Sequence, residues 1–153
     1  MRCALVFVPC QTVIIGKDNN ASLIVLLHQI HVQIPAEAPD PLPEKAAFPM
    51  GWHVFCQWET APEEIGTTFE QRIQLLNMSG ELQADFDSVS PFVPEKKKPI
   101  HRVIANLNLF PVLAEGHYRL RLSLRKSGDK DWSVSGDHPL QIIHKRVVEP
   151  VTS

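Results

Sequence analysis

A strict alternation over residues 118–125 constrains this chain more than any other feature. Tyr118, Leu120, Leu122 and Leu124 fall on one side of an extended strand, and Arg119, Arg121, Ser123 and Arg125 fall on the other. The pattern predicts one face in a core and one face in water. Glu115-Gly116 just before it reads as a turn that needs a permissive backbone. Tyr118, at the strand's entry, is placed to bury its ring and return its hydroxyl across that corner, an arrangement common in Greek-key sandwiches.

The rest of the chain reads as further strands. Residues 3–8 form a short apolar run that Pro9 ends, because proline has no N–H for a ladder, and residues 12–15 resume it after a kink. Gly16-Lys17-Asp18-Asn19-Asn20 is a dense turn signal. Residues 22–34 begin as a continuous apolar run and end in alternation. Their β-branched content favours a long, bent strand, with a helix through Leu23, Leu26, Leu27 and Ile30 as the competing reading. Residues 35–49, proline-rich and acidic, cannot hold a helix and predict an extended crossover between sheets.

Over residues 52–59, Trp52, Val54, Cys56 and Trp58 share one side and form the expected anchor of an inter-sheet core. Residues 68–76 alternate as a half-buried strand, and Asn77-Met78-Ser79-Gly80 connects it to a weaker return over 81–87. Residues 88–99 read as a second proline-bounded loop carrying Lys96, Lys97 and Lys98. Residues 100–109 alternate again and lead through Phe110-Pro111 to the strand described first. The last strand is expected over 132–134 and 140–143, with a break at 136–139.

Composition agrees with this reading. Thirteen prolines against seven glycines suit short strands and rigid connections, and 153 residues at 44% hydrophobic content suffice for one core. A net charge of -2 gives no pull toward nucleic acid or anionic membrane. Cys3, Cys10 and Cys56 are odd in number and scattered, so neither a disulfide framework nor a metal or redox motif is implied. The apolar run at the N-terminus stops too early for an export signal, and no segment approaches the ~20 apolar residues of a membrane span. The sequons at Asn20 and Asn77 lie in turn-like segments and would matter only in a secreted chain. The expectation is a cytoplasmic protein, monomeric or weakly dimeric. It is all-β, an antiparallel two-sheet β-sandwich with an immunoglobulin-like Greek key of about eight strands over residues 1–146, and a loose tail over 147–153.

The order of these landmarks resembles a family of small, uncharacterised bacterial single-domain proteins with an immunoglobulin-like β-sandwich. The residues carrying the resemblance are Gly16-Lys17-Asp18, the run to Ile30, the proline crossover, the pair of strands about Asn77–Gly80, and Asn106-Leu107-Asn108-Leu109 followed by Glu115-Gly116-His117-Tyr118. The resemblance implies a fold and no activity. Leu120 stands where an antibody-type domain carries its second bridge cysteine, which excludes that subclass.

Catalytic and metal chemistry find little footing. His28 and His31 would point to opposite faces of a strand and lack a nearby third ligand. Ser135, Asp137 and His138 read as turn residues without a nucleophile elbow, and Cys56 reads as a small core residue. No cofactor motif occurs. The function expected is a non-catalytic binding or assembly module that engages a protein partner by an exposed sheet edge or by its proline-bounded loops. Lys96, Lys97 and Lys98 are the candidate contact residues, and a small hydrolytic enzyme is the alternative.

Overall fold

The computed structural model describes residues 4–40, 42–43, 46–86 and 90–147. Among these residues ten strands follow one another: β1 (Ala4–Ile15), β2 (Ala21–Leu26), β3 (Gln29–Pro35), β4 (Ala47–Glu59), β5 (Phe69–Asn77), β6 (Leu82–Asp85), β7 (Ser90–Phe92), β8 (Ile100–Pro111), β9 (Gly116–Lys126) and β10 (Ser133–Val147). A single turn of 3-10 helix at Pro62–Glu64 interrupts them. Sheet 1 has the order β2-β1-β4-β8; sheet 2 has the order β3-β10-β9-β5-β6, with β7 also paired to β5. The two pack face to face as a β-sandwich.

The core is what alternation places between the sheets. Trp52, Val54, Cys56 and Trp58 from β4 and Phe110 from β8 form one cluster with Ile73, Leu75, Leu120, Leu122, Leu124, Leu140 and Ile142 of sheet 2. Polar tips inside this layer find partners, as burial requires. The Trp52 indole donates to the Leu109 carbonyl at 3.1 Å. The Trp58 indole donates to buried Gln71 Oε1 at 3.0 Å, and Gln71 Nε2 donates to Cys56 Sγ at 3.7 Å. The corner at Tyr118 forms as expected: its hydroxyl donates to the Ala114 carbonyl at 2.6 Å, next to Gly116 at φ 148°. The hairpin connection after β5 also forms, with Asn77 Oδ1 accepting from the N–H groups of Ser79 and Glu81 and with Gly80 at φ 83°.

Four expectations need correction. First, residues 22–34 are strand, but two strands in different sheets. At Leu27-His28 the chain leaves sheet 1 for sheet 2, and the crossing is fixed by Leu27 N–H donating to the Pro9 carbonyl at 2.9 Å and Gln141 N–H donating to the His28 carbonyl at 2.8 Å. Because the chain crosses without a hairpin reversal, β3 runs parallel to β10, the departure from a wholly antiparallel sandwich. The strand total is ten rather than about eight for the same reason, and because of short β7.

Second, neither Pro9 nor Pro139 ends a strand. Pro9 pairs with Val54 where β2 has not yet begun to pair with β1, and Pro139 pairs with Arg119 just before β3 joins β10 at Gln141. Each lies just outside the ladder of its strand's second neighbour, so its missing N–H removes no ladder hydrogen bond there. The break expected at 136–139 is instead a bulge between Val134 and Gly136.

Third, residues 88–99 are not all loop. Phe92 of β7 is buried and stacks against Trp58, Phe69 and His101. Fourth, the outward face of β9 is not uniformly wet: Ser123 is 2% exposed. The proline crossover joins the sheets over a shorter span than 35–49, since Pro35 closes β3 and residues 47–49 already pair with β8 as part of β4, and Arg146 donates to the carbonyls of Pro35, Ala36 and Ala38 to hold its first turn. Val147 belongs to β10, and the tail expected beyond it lies outside the described residues.

Candidate binding cleft

Three segments far apart in sequence meet on the outer face of sheet 1. The first is the β1–β2 hairpin. Its turn, Gly16–Asn20, closes with Asn19 N–H donating to the Gly16 carbonyl and Gly16 N–H donating to the Asn20 carbonyl. Asp18 accepts from Asn20 N at 3.1 Å and Nδ2 at 2.7 Å, and those hydrogen bonds hold its carboxyl below the usual range. The second is the outer side of β4 and β8, where Phe55 is buried and Arg102 stands 5.7 Å from its ring centroid. The third is the end of the second proline-bounded loop.

Arg102 draws them together. Its Nη2 donates to the Asn19 carbonyl at 3.0 Å, and its Nη1 donates to Asn19 Oδ1 at 3.4 Å. The hairpin turn is thereby held near the start of β8. Between them lies a cleft of about 930 Å³, lined by Leu23, Phe55, Gln57, Arg102, Lys97 and Lys98 among others. Of the three candidate lysines, two reach this cleft; Lys96 is exposed and does not line it. Lys98 pairs with Glu95 at 3.0 Å, both side chains more than half exposed, so that solvent screens the pair. Arg102 was not singled out in the sequence. The signal available was its place on the polar side of an alternating strand, which many surface residues share.

The remaining candidates are placed apart. Asp137 points outward, accepting from Arg121 Nε at 2.8 Å and Nη2 at 2.9 Å, while His138 points inward to the Leu27 carbonyl at 3.0 Å. Adjacent strand residues face opposite ways, so these two cannot act on one substrate atom. Burial lowers the His138 pKa. It pushes the Cys56 thiol up to about 12 and raises that of Cys10, which makes both poor nucleophiles. Among the described residues no three His, Cys, Asp or Glu side chains gather as a metal set, and no helix is long and apolar enough to cross a membrane.

No protein-family model matches the chain, and no curated protein matches it. Among solved structures it is similar to the CooA pilin subunit from enterotoxigenic Escherichia coli, 12% identical over 94% of this chain and 99% of that one, with a TM-score of 0.25. A likeness at that score supports no inference about role.

Proposed function

We propose that the protein is a non-catalytic binding module, of the small immunoglobulin-like kind, that engages a protein partner through the β1–β2 hairpin and the lysine segment beside it. One observation carries the reading. Ile14, Ile15, Ile24, Val25 and Leu26 are each 43–56% exposed on this single hairpin. Its outer strand, β2, is an end strand of sheet 1, with β1 as its neighbour. A sheet edge presents unpaired N–H and C=O groups, and Ala21–Leu26 carries none of the charges or prolines that normally blunt one. Addition of a partner strand along β2 would satisfy those groups and cover the apolar side chains. Lys96, Lys97 and Lys98 then steer an acidic partner to the edge. The buried thiols of Cys10 and Cys56 support a cytoplasmic setting.

The test is recovery of the partner with tagged protein from its source cells, repeated with variants whose circular dichroism is unchanged. Ile24→Lys with Leu26→Lys should abolish capture, and Lys96→Glu, Lys97→Glu and Lys98→Glu together should slow association and weaken its salt dependence. Capture unaffected by either set would overturn the reading.

A further inference from the structure

We infer that the cleft between the hairpin turn and the start of β8 is a binding site for an oxyanion, a carboxylate or phosphate group carried by a ligand. The argument begins with what Arg102 lacks. Both of its Nη atoms donate to oxygens of Asn19, which are neutral, and its Nε is buried with no hydrogen-bond partner among the described residues. The contrast is with Arg121 and Arg125, which meet carboxylates at 2.8 and 2.6 Å; Arg72 shares the buried, unpartnered Nε but packs 4.4 Å from the Trp132 ring instead of lining a cleft with two lysines. Neutral oxygens satisfy a guanidinium's geometry without compensating its charge.

Lys97 and Lys98 add two more cations to the same wall. Among the described residues Lys98 is engaged only by the exposed Glu95, and no acid pairs with Lys97. The one acid lining the cleft, Asp18, is turned into its own loop by Asn20. Three cations therefore face one acid that is already hydrogen-bonded. A guanidinium fork fits the planar or tetrahedral face of an oxyanion and is fixed here against Phe55, so little side-chain freedom is lost on binding. The volume admits more than a bare ion, so it leaves room for the rest of a ligand that carries the anionic group. This inference does not depend on strand addition at β2, and either can fail alone.

The test uses full-length protein with isotope-labelled arginine and follows the Nε–H resonances of Arg102, Arg121 and Arg125. Inorganic phosphate and an acetylated tetraglutamate peptide are titrated separately. Arg102 should move saturably with at least one probe while Arg121 and Arg125 stay near their starting positions. The probe with the midpoint lower by about tenfold or more names the source of the oxyanion, phosphoryl or acidic peptide, and equal midpoints assign the site to the oxyanion itself. Arg102→Gln should remove the saturable binding; if that variant does not fold, Lys97→Gln with Lys98→Gln should weaken it by about fivefold or more. No saturable movement of Arg102 up to roughly 50 mM of either probe, beyond the range of weak specific sites, overturns the inference. So does equal movement at all three arginines, which reports general charge attraction only.

Discussion

The outer faces of the two sheets both carry arginines above an aromatic ring, yet they settle their charges in opposite ways. On sheet 2, Arg125 meets Glu70 at 2.6 Å, Arg121 and Arg119 both meet Asp137, and Arg72 and Arg125 lie 4.4 and 4.3 Å from the Trp132 ring centroid. Ser123, opposite Arg72 in the register, is buried in the midst of this group. On sheet 1, Arg102 stands over Phe55 with neutral oxygens as its only hydrogen-bond partners among the described residues, and the apolar side chains of the neighbouring hairpin face water. The first face pairs three of its arginines with acids, although Arg72 Nε stays without a described partner and Val134 and Leu82 remain exposed. The second gathers its unpaired cation beside five exposed apolar side chains of one hairpin, which is the arrangement the proposed interactions would use.

The largest effect that tests this contrast is at Phe55, which is buried on a face that a plain sandwich would leave open. Phe55→Ala should cost about 3–5 kcal/mol in urea melts. A loss below about 1 kcal/mol would mean that the hairpin turn does not cover the face in solution. Next comes Arg125→Met, which strands a half-buried Glu70 carboxylate and removes one cation from Trp132; it should cost about 1–3 kcal/mol. The equivalent Arg102→Met leaves only neutral oxygens behind and should cost about 0.5–1.5 kcal/mol. Equal costs at the two sites would erase the distinction between the faces.

A smaller effect is expected with pH. Hydrogen bonding from Arg121 holds the Asp137 carboxyl below its usual range, with Arg121 and Arg119 adding charge attraction. Its contribution is therefore complete above the unfolded pKa of about 3.9 and is lost as pH falls through the lower folded value. Both arginines are a third or more exposed, which limits that contribution to about 1 kcal/mol or less. Asp137→Asn should flatten this part of the acid limb of a stability-against-pH curve. The smallest effect on folding belongs to Lys96, Lys97 and Lys98. Their joint change to glutamate should alter stability by about 0.5 kcal/mol or less, so that any change in capture of the proposed partner would report on binding and not on folding.

How much of this was legible in the sequence follows from how local each feature is. Alternation placed Leu120, Leu122 and Leu124 inside, and Trp52 and Trp58 together, because side-chain direction along a strand depends on neighbours two residues away. Turn chemistry placed Gly80 and the Tyr118 corner for the same reason. The sheet switch at Leu27-His28 was hidden, since no proline or glycine marks it and its anchors, Pro9 and Gln141, are remote. Phe92 was hidden by the prolines on either side of it. The cleft was hidden because Asn19 and Arg102 are 83 residues apart, and nothing in either segment records the other. The lysine triplet was visible, but only the fold brings Lys97 and Lys98 to the same cleft as Arg102.

The parallel pairing of β3 with β10 has a consequence for synthesis. Gln29 and Gln141, side by side in sheet 2, are 112 residues apart in the chain, and β3 has its strand partner in β10. At a translation rate of about 5–20 residues per second, Ile30, Val32 and Ile34 wait roughly 5–20 s on the ribosome before their partner strand exists. Throughout that interval a β-branched apolar segment is exposed while β1, β2 and β4 can already pair. Nascent chains that stop short of β10 should accordingly be the species most prone to aggregate and most dependent on chaperones.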